Sequence, residues 1–210
     1  MKRFYRTVQV SPGAEGFAVT LDGKPVLTPA RAPLNLAGER LAQEIAEEWR
    51  SQGDEILPHL MGLTTLAGAA IDRVAPLRQE VIAEALKYAK ADLLCYHAQA
   101  PRDLTERQRQ TWGTLLVWAK EDLGAELKTA AGIQHVAQPP EAIESLRRAV
   151  EDLDDLELTA LSVFTAATGS LVIALALTAG RIGAEAAARD GIAANPGFLK
   201  RQDHPAERYH

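Results

Sequence analysis

The chain has 210 residues, 47% of them hydrophobic and 24% charged, and its 23 basic and 28 acidic side chains leave a net charge of −5. A globule of this size buries roughly 70% of the surface its unfolded chain exposes, so a sizeable core needs no metal or disulfide. The acidic balance and the lack of a Lys/Arg block exclude a dedicated nucleic-acid binder, which needs a basic face to displace counterions. The single cysteine, Cys95, excludes an intramolecular disulfide and a Cys-based zinc site.

The first 36 residues read as a small antiparallel β unit. Phe4 to Val10 alternates in part, and Ser11-Pro12-Gly13 punctuates it. Gly16 to Leu21 is rich in β-formers. Asp22-Gly23 then gives the two positive-φ positions of a type I′ hairpin turn, with Lys24 to Thr28 as the return strand up to Pro29. The start, Met1 to Val10, lacks the apolar run of a secretory signal. This predicts a bacterial cytoplasmic chain, or a processed mature chain of the mitochondrial matrix.

From residue 37 to 210 the pattern turns helical, giving an α+β protein whose larger domain is all-helical, with an atypical tail from about residue 189. Leu41, Ile45 and Trp49 form one stripe on a helix that Gly53 can end. Met61 to Val74 reads as a small-residue helix, and Leu77 to Tyr96 as a long one. Thr105-x-x-Gln108 resembles a capping box ahead of Trp112, Leu115, Leu116, Ala119 and Leu123. Gly124 to Gln138 reads as a connector, and Pro139-Pro140 opens a helix with Ile143, Leu146, Val150 and Leu153 on one side.

Leu158 to Gly180 carries no charge over a length that would cross a bilayer. Its many Thr and Ser residues, the missing aromatic anchors and the acidic residues at its entry favour a central buried helix instead. After Ala188, Gly191 and Asn195-Pro196-Gly197 break the helical pattern, and this end reads as loop-like.

Catalytic groups do not converge in the sequence. His59, His97, His135, His204 and His210 are scattered without a helical metal-binding spacing. Cys95 sits among Leu93, Leu94 and Tyr96, where burial makes a thiol inert. No nucleophile elbow, phosphate loop or dinucleotide fingerprint is present, so no catalytic residue, metal or cofactor is expected. What remains are surfaces for a protein partner. They are Glu44, Glu47 and Glu48 on one helix; Trp118, which lies well round its helix from the core residue Trp112; and the acidic run Glu151, Asp152, Asp154 and Asp155. Each has a plainer reading, as a solvated helix face or a second packing face.

Several words in order resemble one family, the chaperones that bind the alpha subunit of the F(1) ATPase during assembly in mitochondria and α-proteobacteria. They are Arg3-Phe4-Tyr5, the hairpin from Phe17 to Pro29, Ala46-Glu47-Glu48-Trp49 with Gln52-Gly53, and Leu63-Thr64 with Ala70-Ile71-Asp72-Arg73-Val74. Ala91-Asp92-Leu93-Leu94-Cys95-Tyr96 is the strongest. Trp112, Trp118, the stretch Gly132 to Pro140 and Thr168-Gly169-Ser170-Leu171-Val172 complete the set, which spans residues 3 to about 187. The resemblance implies a β unit followed by a helical domain, and a chaperone for the unassembled alpha subunit of F-type ATP synthase, without turnover, nucleic-acid binding or membrane insertion. One departure stands out: the acidic, aromatic helix that follows in the family is absent from Arg189 to His210. The competing readings are a small-molecule enzyme with a pocket between the β unit and the helical domain, and a membrane-associated protein using Leu158 to Gly180.

Overall fold

The computed structural model describes residues 1–13, 16–132 and 134–192, with residue 192 described by its backbone only. By packing, the chain divides into two compact units, Met1–Arg78 and Gln79 onward. The line drawn at residue 36 follows secondary structure; the first compact unit also takes in the helices up to residue 78.

In the first unit, β1 (Val8–Gly13) pairs antiparallel with β2 (Gly16–Leu21), from Val8↔Leu21 to Gly13↔Gly16. Asp22 and Gly23 adopt φ of 49° and 79°, the twisted turn their sequence predicts, and β2 folds back onto β3 (Lys24–Pro25). The Asp22 carboxylate accepts from Arg6 N, Thr7 N and Thr7 Oγ1 at 2.8–3.2 Å. These bonds, Thr7 N–H first, hold the carboxyl below its usual pKa. β4 (Asn35–Leu36) pairs with the other end of β2. There Gly16 has φ 117°, and any Cβ would run into the Leu36 carbonyl, so only glycine fits.

Helix α1 (Glu39–Arg50) lies against β1 and β2. Its buried stripe is Ala42, Ile45 and Ala46, with Leu41 and Trp49 half-buried beside it. Together with Val19, Leu21, Val26, Leu34 and Leu36 they form this unit's core. Helix α2 (Gly62–Ala69) runs into a π-helical turn, Ala70–Val74, so the single helix expected over Met61 to Val74 is continuous but underwound in its second half.

In the second unit, α3 (Arg78–Ala89) stops seven residues short of the predicted end at Tyr96. The reason is Asp92: it turns extended, and its carboxylate accepts from Leu94 N to start a short 3₁₀ turn, Leu93–Cys95. β5 (Tyr96–His97) then pairs in parallel with β6 (Ala130–Ala131), inside the predicted connector. Helix α4 (Arg102–Leu123) begins before Thr105, so Thr105-x-x-Gln108 is no capping box. Thr105 Oγ1 instead donates to the carbonyls of Ala98 and Pro101, and buried Gln108 accepts from Ala98 N, fastening the incoming chain. Helix α5 (Pro140–Glu151) starts at the predicted prolines.

The uncharged stretch is not one helix. It makes α6 (Asp155–Thr168) and α7 (Leu171–Thr178), parted by Gly169 at φ 74° and by Ser170, whose hydroxyl accepts from Ile173 N. The expected burial holds for α7, in which Leu171 through Ala176 are all buried against α4, α6 and α8. Helix α6 buries one side and exposes Val163 on the other. Helix α8 (Ala184–Ile192) replaces the loop expected after Ala188. It packs so closely on α6 that a Cβ at Gly191 would come within 3.0 Å of Thr168. The rest of the predicted loop-like tail lies outside the described residues.

Candidate functional site

Three helix C-termini meet in the second unit and enclose a surface cleft of about 280 Å³. Helix α4 contributes Trp118 and Leu123, α5 and its exit Ala149, Asp152 and Leu153, and α7 and its exit Leu175, Thr178 and Ala179. The first turn of α6 adds Glu157. The walls are apolar because these are inner faces of amphipathic helices. The rim is acidic because Asp152 follows the end of α5 and acidic side chains cap the N-terminus of α6. Asp154 and Glu157 form a reciprocal capping box on α6, with Glu157 N donating to Asp154 Oδ1 at 2.8 Å and Asp154 N to Glu157 Oε2 at 3.0 Å.

Two of the sequence-derived candidates, Trp118 and Asp152, thus come together although they lie on different helices. Of its two readings Trp118 takes the plainer one, a second packing face: only 7% of it is accessible, because its side of α4 faces α5 and α7. Asp152 is exposed at the end of α5, and among the described residues no cation pairs with it or with Glu157. Glu151 faces Arg147 at 3.9 Å, Asp154 is occupied as the cap of α6, and Asp155 is half-buried at its first position.

The glutamates of α1 belong to the first unit and do not line the cleft. Glu44 is exposed, and Glu47 pairs with Arg50 at 3.3 Å. Glu48 has a structural task. Its carboxylate accepts from Leu63 N at 2.7 Å, Thr64 N at 2.8 Å and Thr64 Oγ1 at 2.7 Å, closing the first turn of α2.

The sequence reading passed over Asp92 as a site. Its carboxylate is fully buried and accepts from Ser170 Oγ at 2.7 Å, Leu94 N at 3.0 Å and Val172 N at 3.1 Å. It therefore ties the 3₁₀ turn to the N-terminus of α7, where the helix dipole favours an anion. Burial pushes its pKa up, against the lowering effect of the Ser170, Val172 and Leu94 bonds. The signal available in the sequence was an acidic residue set directly before an apolar run, Asp92-Leu93-Leu94-Cys95. Cys95 is buried beside it, and burial followed by the Asp92 charge pushes its thiol up to about 12. It is a packing residue.

Among the described residues no group of three or more His, Cys, Asp or Glu side chains is placed to hold a metal ion, and no helix is long and apolar enough to cross a membrane. The arrangement is an antiparallel strand unit ahead of a helical region that carries a surface cleft, an α+β fold. A family model described as ATP12 chaperone protein matches residues 2–120. The crystal structure of Atp12 from Paracoccus denitrificans superposes with a TM-score of 0.88 at 38% identity, over 95% of this chain and 86% of that one. A putative chaperone from Agrobacterium tumefaciens, Atu1473, superposes with a TM-score of 0.87 at 35% identity, over 98% of this chain and 78% of that one. The chain belongs to the ATP12 chaperone family.

Proposed function

We propose that this chaperone binds the unassembled alpha subunit of an F-type ATP synthase and holds it until it enters the catalytic hexamer. The observation that carries the reading is membership of the ATP12 family, with sequence likeness and fold likeness covering nearly the whole chain. The alpha subunit as client comes from the ordered sequence words between Arg3 and Ala187. A subunit of an obligate hexamer exposes large apolar interfaces while alone, and a binder that covers one of them suppresses aggregation by mass action. The first unit leaves apolar side chains open in support of such a role: Phe4 is 66% and Leu60 60% accessible, with Met1, Leu57 and Leu63 also exposed. The action is binding without turnover, in the bacterial cytoplasm or, for a processed eukaryotic chain, the mitochondrial matrix.

The test is light scattering of isolated alpha subunit diluted from denaturant, with and without the full chain. Equimolar chain is expected to suppress scattering, and the assembled hexamer is expected not to bind, since the beta subunit and the chaperone compete for one interface. Undiminished aggregation would overturn the reading.

A further inference from the structure

The cleft of the helical unit has an electrostatic character that its apolar lining does not suggest. Three helices, α4, α5 and α7, end at it, and each carries about half an elementary negative charge at its C-terminus. Asp152 and Glu157 add two carboxylates at the rim. From Ala149 to Gly180 the chain has five acidic residues and no Lys, Arg or His; Arg148 and Arg181 bound this stretch, and neither lines the cleft. Lys120 is already engaged with Glu126, and Arg147 with Glu144 and Glu151. Set against the positive N-terminus of α6, the three negative helix ends and two carboxylates leave a net negative field on an apolar hollow floored in part by an indole.

Size narrows the occupant. About 280 Å³ lies below the roughly 300–1,000 Å³ of sites for small molecules and cofactors. It matches one long side chain with part of a neighbour. The side chain that satisfies apolar walls, an aromatic ring and a carboxylate rim together is arginine: its stem packs on apolar surface, its guanidinium stacks on Trp, and its fork meets carboxylates. Arginine is also among the residues most often found as interface anchors.

We propose that this cleft seats an arginine, with an adjacent apolar residue, presented by the client protein. The proposal rests on the chaperone reading and assigns it a docking point. Trp118, Leu123, Leu153 and Leu175 receive the aliphatic stem and the apolar neighbour, while Asp152 and Glu157 hold the guanidinium.

The experiment measures the affinity of isolated alpha subunit for the full chain by calorimetry, using variants whose melting temperatures match the parent. One variant carries Asp152→Lys with Glu157→Lys, reversing the rim. A second, Ala149→Trp, fills the cleft without changing charge. A control carries Glu84→Lys with Glu106→Lys, the same charge change on exposed carboxylates outside the cleft. Both cleft variants are expected to weaken binding about tenfold or more, and the control less than threefold. Either cleft variant binding within twofold of the parent overturns the proposal while leaving the chaperone reading intact, as does an equal loss in the control. Failure of the parent to bind overturns the chaperone reading and the proposal with it.

Discussion

Helix α7 has an acidic group at each end, and the two ends are opposites. At its N-terminus Asp92 is sealed from water and accepts from Ser170 Oγ, Val172 N and Leu94 N. At its C-terminus Asp152 and Glu157 stand at the rim of an open cleft, with no cation beside them among the described residues. The first carboxylate complements the helix dipole and the second pair adds to its repulsion. Asp92 is buried and bonded to three donors, whereas Asp152 stays hydrated with no ion pair among the described residues. Glu157, also exposed, gives one oxygen to Asp154 N in the capping box. The same residue type thus serves stability at one end of a helix of eight residues and stands at the rim of an open cleft at the other.

The sharpest way to break this contrast is to place a carboxylate beside Asp92 without its donors. Leu171 is fully buried one residue from the cap, and Leu171→Asp is expected to unfold the helical unit, seen as loss of the cooperative melt by circular dichroism. A variant that kept its melting temperature would show that burial at this end tolerates charge generally. Next in size is Asp92→Ala, which strands three donors. Destabilisation of about 3 kcal/mol or more is expected in urea unfolding, since each buried donor left unmet costs about 1–3 kcal/mol.

A smaller effect separates charge from hydrogen bonding. Because the folded-state pKa of Asp92 is raised, the folded protein keeps this proton at a pH where the unfolded chain has lost it. Its contribution to stability is therefore full below the unfolded value of about 4 and declines as pH rises through the raised folded value. Asp22, with its pKa lowered, acts in the other direction, contributing above the unfolded value and losing its effect as pH falls through the lowered one. Subtracting the urea unfolding profile of Asp92→Asn from that of the parent isolates the first slope, and a flat difference from pH 4 to 8 would contradict it. The smallest effect belongs to the rim: Asp152→Lys is expected to change stability by less than about 0.5 kcal/mol, and towards a gain, since a cation replaces an anion at a helix C-terminus. A large loss there would mean that the rim is structural after all.

Sequence legibility followed locality. The Asp22-Gly23 turn and the proline start of α5 were readable because the deciding residues sit within four positions of each other. The break between α6 and α7 was not, because periodicity vanishes in an all-apolar stretch and Ser170 is one hydroxyl among many. The early end of α3 was hidden for a related reason: Asp92 starts the next turn through Leu94 N and at the same time accepts from Val172 N, 80 positions away, a contact that no local window contains. For the cleft, Trp118 and Asp152 could be named but not joined. Trp118 could be read either as a binding residue or as a second packing face, and it packs because α5 and α7 cover that side of α4.

The Gly169-Ser170 break also bears on what the nascent chain meets before it folds. Leu158 to Gly180 has the length and lack of charge by which an insertion machinery recognises a membrane segment. With the break in place, α7 measures about 12 Å and α6 about 21 Å at 1.5 Å per residue, against a hydrocarbon layer of about 30 Å. The left-handed glycine and the capping serine, which together let Asp92 grip α7, thereby leave two pieces each too short to span a bilayer.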